Sequence, residues 1–130
     1  MILAIRTDKP EAELYLYNAE HGLIDSYTWS AHRELSLTLL KNIEKLLKKN
    51  SLTLKDLRGL IAYRGPGSFT GLRIGLTVAN TIAYTSTIPI VGANGEQWRA
   101  QGLKILSDNS SSQFVAPLYG SEAHVTAPRK

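Results

Sequence analysis

The chain has 130 residues, 43% of them hydrophobic and 20% charged, which is the range of one soluble domain with its own core. Zero cysteines exclude a disulfide framework and a thiolate metal site, and a net charge of +4 permits loose attraction to nucleic acid without requiring it. The first residues lack the order of a signal peptide and no apolar run reaches the roughly 18 residues of a membrane helix, so a cytoplasmic protein without a membrane span is expected.

Residues 2–5 form a short apolar run, and 14–17 and 23–29 are rich in strand formers separated by Asn18, Glu20 and Gly22. Three consecutive antiparallel strands are therefore predicted to open the chain. Leu35, Leu39, Leu40, Ile43, Leu46 and Leu47 then recur at helical spacing, with Lys41, Glu44, Lys45, Lys48 and Lys49 opposite. The lysines read as a solvated helix face, because no aromatic residues interleave with them to stack bases. Asn50 and Ser51 end this helix, and 60–63 predicts a strand paired with the first.

Arg64-Gly65-Pro66-Gly67-Ser68-Phe69-Thr70-Gly71-Leu72-Arg73-Ile74-Gly75 leads from that strand into a second helix. Gly65 and Gly67 suit positive φ or close backbone approach, Pro66 fixes its own φ, and Ser68 or Thr70 is placed to cap the helix. The helix N-terminus could receive an anion, although the string is neither a Walker loop nor Gly-x-Gly-x-x-Gly. Arg64, Gly65, Gly67, Ser68, Thr70, Gly71 and Arg73 are the candidate phosphate loop, with a purely structural turn as the other reading.

The second helix, predicted over 71–84, has an apolar stripe of Leu72, Leu76, Ala79 and Ala83 and another of Ile74, Val78 and Ile82. Gly71, Gly75, Ala79 and Ala83 follow one another every four residues, a ridge that would admit a second helix closely. Both stripes could be satisfied within the domain, or one could be offered to a partner. The expected partner surface comprises Leu39, Ile43 and Leu47 with Gly71, Leu72, Gly75, Leu76, Ala79 and Ala83. Residues 89–91 predict a fifth strand, 96–106 a third helix, 107–112 a polar turn and 114–119 a last strand. This divides the chain into a lobe at 1–106 and a loop, short strand and tail at 107–130, and implies an α/β mixed sheet flanked by helices.

Gly-Pro-Gly-Ser-Phe-Thr-Gly-Leu-Arg-Ile-Gly closely resembles the signature of the TsaB (YeaZ) family, and the opening Met1-Ile2-Leu3-Ala4-Ile5-Arg6-Thr7 is similar to that family's first strand and turn. The resemblance covers residues 1–91 well and implies a ribonuclease H-like lobe of the actin-like ATPase superfamily. It also implies a non-catalytic partner of TsaD, acting with the ATPase TsaE to form threonylcarbamoyladenosine beside the anticodon of tRNA, with tRNA met only indirectly. The same helix surface could form a homodimer. Family members carry two lobes, whereas this length implies a compact form without most of the second, although Ala116-Pro117-Leu118-Tyr119-Gly120 is similar to the family's closing segment.

Against the family pattern, Arg6 replaces the acid usual after the first strand, and Leu35 stands where a histidine is often found. Both changes remove chemistry, so no catalytic residue is expected. The turn Thr7-Asp8-Lys9-Pro10-Glu11 has no glycine to cradle phosphates, so ATP or ADP is expected only at an interface with a partner. The competing readings are a minimal nucleotide phosphohydrolase or nuclease using the glycine-rich loop with Asp8 or Glu34, and a self-dimerising remnant. His21, His32 and His124 lack metal-ligand spacing, and no metal is assigned. Tyr15, Tyr17, Tyr27, Trp29 and Trp98 read as packing aromatics in preference to base-stacking ones.

Overall fold

A computed structural model describes residues 1–108. The strand expected at 114–119, most of the 107–130 segment and His124 lie outside the described residues.

The elements run β1 (Ile2–Arg6), β2 (Glu11–Tyr17), β3 (Leu23–Ser30), α1 (Leu35–Lys49), β4 (Gly59–Tyr63), α2 (Phe69–Ser86), β5 (Ile90–Ala93) and α3 (Trp98–Ser107). They build one five-stranded sheet in the order β3-β2-β1-β4-β5. The first three strands form an antiparallel meander, because the connections after β1 and β2 are too short for a crossover. β4 pairs parallel with β1 and β5 parallel with β4, each reached through a helix. The mixed sheet flanked by helices is the expected architecture.

Alternation along the strands divides the core in two. Leu3, Ile5, Leu14 and Leu16 point to the face covered by α1 and α2, where they meet Leu39, Ile43, Leu76 and Ala79. Ile2, Ala4, Ile61 and Tyr63 point to the opposite face, where Trp98 of α3 is buried. The indole meets Tyr15 and Tyr63 edge-on, with ring centroids 6.0 and 5.7 Å apart. Arg99 lays its guanidinium 3.8 Å over the Tyr15 ring and donates to the Tyr17 hydroxyl at 2.8 Å. Trp98, Tyr15 and Tyr17 are thus packing aromatics, as expected. Among the described residues no helix is long and apolar enough to cross a membrane.

Candidate functional site

Because β1 and β4 are parallel neighbours, their C-terminal ends open at the same edge of the sheet, where α/β folds hold ligands. The turn after β1 and the loop after β4 meet there. Between them lies a cavity of about 240 Å³, lined by Thr7, Asp8, Lys9, Pro10, Ala31 and Leu35 on one side and Ser68, Thr70, Gly71 and Ile74 on the other.

The loop is held from beneath. The Tyr63 hydroxyl donates to the Pro66 carbonyl at 2.9 Å, and the Arg6 guanidinium stacks 3.8 Å from the Tyr63 ring centroid. Gly65 has φ of 114°, a left-handed conformation that a side chain would strain, and the Gly65–Pro66 peptide is cis. α2 then starts against β1: the buried Thr7 hydroxyl donates to the Gly71 carbonyl at 2.8 Å. A Cβ at Gly71 would strike the Thr7 carbonyl oxygen, and one at Gly75 the Thr7 hydroxyl. Ser68 occupies the N-cap position, but its side chain makes no cap bond, which corrects the expected hydroxyl cap. Its carbonyl instead accepts the Leu72 amide at 3.0 Å.

Charge at the site is largely engaged. Arg6 binds Asp8 through Nε at 2.7 Å and Nη2 at 3.2 Å, with the Asp8 side chain only 7% exposed. Burial alone would lower the Arg6 pKa, but hydrogen bonding and attraction from Asp8 raise it, so the guanidinium keeps its charge. Lys9 pairs with Glu13 at 2.9 Å, and hydrogen bonds from Lys9 and Tyr15 hold that carboxyl below its usual value in spite of burial. Arg64 differs, since its Nε is buried without a hydrogen-bond partner among the described residues. Among those residues no group of three or more His, Asp or Glu side chains is placed to hold a metal ion.

The expected phosphate-loop residues therefore divide. Ser68, Thr70 and Gly71 line the cavity, Gly67 lies against Asp8, and Gly65 is buried. Arg73 lines a second groove of about 350 Å³ between the helices, with Ser36, Thr70, Ile74, Thr77 and Val78. Neither Arg64 nor Arg73 lines the cavity beside Thr7. Thr7, Lys9, Pro10, Ala31 and Leu35 are additions, Asp8 being expected beside the loop only in the enzyme reading, and their signal was the expected pairing of the first and fourth strands.

The expected partner surface needs correction. Leu39, Ile43, Leu47, Leu72, Leu76, Ala79 and Ala83 are buried within this chain, and Gly71 and Gly75 face Thr7 instead of a foreign helix. The stripe of Leu72, Leu76, Ala79 and Ala83 lies inward, while Ile74 and Val78 remain half-buried beside the core under α1. The apolar side chains open to solvent on these helices are Leu37, 77% exposed, Leu40, 43%, and Tyr84, 84%.

A family model described as TsaD, tRNA N6-adenosine threonylcarbamoyltransferase, matches residues 28–118. The tRNA threonylcarbamoyladenosine biosynthesis protein TsaB of Escherichia coli is 33% identical over 101 residues, covering 78% of this chain and 43% of that protein. YeaZ from Pseudomonas aeruginosa superposes with a TM-score of 0.66 at 25% identity, covering 78% of this chain and 49% of that one. The chain thus spans less than half the length of these relatives. RuvC from Thermus thermophilus, solved with a Holliday junction substrate, superposes with a TM-score of 0.53 at 10% identity over 99% of this chain and 82% of that one, a likeness of fold alone. With its ribonuclease H-like sheet and its Gly-Pro-Gly-Ser-Phe-Thr-Gly loop, the chain belongs to the TsaD family and, within it, to the TsaB (YeaZ) group.

Proposed function

We propose that this chain is a non-catalytic TsaB-type subunit that supports a TsaD-type transferase in forming threonylcarbamoyladenosine in tRNA, docking through the outer faces of α1 and α2. Kinship with TsaB supports the pathway. One observation carries the docking: Leu37 and Leu40 stand exposed on α1, and the groove between α1 and α2 has half-buried Ile74 and Val78 in its lining. A second copy of the chain could occupy the same surface in the absence of the transferase. The assembly, with a TsaE-type ATPase, would work in the cytoplasm.

The loop after β4 is proposed to meet ATP or ADP only when the partner completes the site. The buried Nε of Arg64, without a partner among the described residues, supports this, as does the absence of any glycine in the turn at 7–10. Solution mass measurements of the chain alone and mixed with the TsaD of its own organism, at micromolar concentration, test the partnership. A stable complex is expected, and persistent monomers sink the reading. Calorimetry with ATP or ADP should give little heat for the chain alone and measurable binding for the complex, weakened by Arg64→Ala. Metal-dependent turnover of ATP or RNA by the chain alone, abolished by Asp8→Ala, would overturn the non-catalytic assignment.

A further inference from the structure

The lysine face of α1 lacks aromatic neighbours in sequence, but the fold supplies them from β3. Trp29 Nε1 donates to the Thr38 hydroxyl at 3.0 Å near one end of α1. Near the other, Asp25 accepts from Asn50 at 3.0 Å and pairs with Lys49 at 3.3 Å. Tyr27 lies between Trp29 and Asp25 on the same face of the strand, and so fronts the intervening stretch of α1. Thr38, Lys45 and Lys49, spaced by seven and four residues, share one line along the helix. Lys45 therefore stands on the flank beside Tyr27, and Lys41 is its neighbour on the solvent side.

The Tyr27 and Trp29 rings are stacked, with centroids 5.7 Å apart and planes at 21°, and Tyr27 is 41% exposed. Trp29 is held in plane by its bond to Thr38, so it forms a fixed platform beneath the outer ring. Asp25, on the same face of the strand, is already engaged by Asn50 and Lys49. Glu44 projects about 100° around the helix from Lys45.

We propose that this surface binds single-stranded RNA, an unpaired base stacking on Tyr27 while Lys41 and Lys45 meet the adjoining phosphates. Every base has a π-face, so the platform recognises unstacked nucleotides with little regard to sequence. Stacking is what separates this occupant from an acidic protein, which the lysines alone would attract equally. The inference stands on this surface and does not depend on the partnership proposed above.

Fluorescence anisotropy of a labelled, unstructured RNA oligonucleotide titrated with the full chain alone tests it. Tyr27→Ala should weaken binding roughly 5- to 150-fold, the equivalent of about 1–3 kcal/mol per stacked base. Tyr27→Phe, which keeps the ring, should restore affinity and controls for folding. Lys41→Glu with Lys45→Glu should weaken binding further and flatten its salt dependence by about 0.7 in log–log slope per lysine lost. No saturable binding at low salt overturns the proposal, as does binding that both changes leave intact. Binding lost on charge reversal but indifferent to Tyr27→Ala also overturns it, since that marks a surface for polyanions at large.

Discussion

The two long sides of α2 contain similar small and apolar residues and meet opposite fates. Gly71, Gly75, Leu72 and Ala79 face inward, close enough to β1 for a threonine hydroxyl to bond the helix backbone. Ile74 and Val78 line a groove, beside exposed Leu37 and Leu40 of α1. Small residues four apart on a helix therefore record a close approach without saying to what. Here the neighbour is the chain's own Thr7, just after the first strand, whose hydroxyl bonds the start of α2, and the proposed docking surface rests on larger side chains.

The strongest way to break this contrast is Gly75→Leu. The new side chain would enter the space of Thr7, so overpacking should cost about 3 kcal/mol, the upper part of the usual range. Urea unfolding measures it, and an unchanged midpoint would falsify the inward placement of the ridge. Leu37→Glu probes the other side. Stability should stay within about 0.5 kcal/mol of the parent, as for an exposed position, while affinity for the proposed TsaD-type partner falls by about 1–2 kcal/mol. If stability falls and affinity does not, the docking surface lies elsewhere.

The third test lies on the opposite face of the sheet. Burial, aided by the hydrogen bond to Glu13 at 2.7 Å, pushes the Tyr15 hydroxyl up to about 12 from its ordinary 10.0. A raised folded value favours the protonated form, so the contribution is complete below pH 10 and lost as pH rises from there through about 12. Melting temperatures across that window should fall more for the parent than for Tyr15→Phe. Parallel curves would show that the phenol titrates as it does unfolded.

Much of the architecture was legible because strand alternation and helical spacing are local. The strands at 2–5 and 60–63, the helix from Leu35 and the helix after the loop stand where the sequence predicts them. Boundaries moved where the local signal was thin: β2 begins at Glu11, since Glu11 and Glu13 read as polar although Ala12 and Leu14 between them are buried. The loop was recognisable as a string and the expected strand pairing set the turn after β1 at its edge of the sheet, but the side chains of the cavity were not legible, because Thr7 and Asp8 stand about 60 residues away in sequence from the segment they meet.

By itself the sequence determined the element order and the composition of each helix face, which follow from residue type and spacing, while the family came from the resemblance of the loop as a string. Only the tertiary structure decided which face each stripe meets. It turned the glycine ridge inward onto Thr7, left Leu37 and Leu40 in solvent, and set the stacked Tyr27–Trp29 pair against α1 through the bond from Trp29 to Thr38. Periodicity defines an angle around a helix axis, whereas coverage depends on what long-range strand pairing sets against that angle.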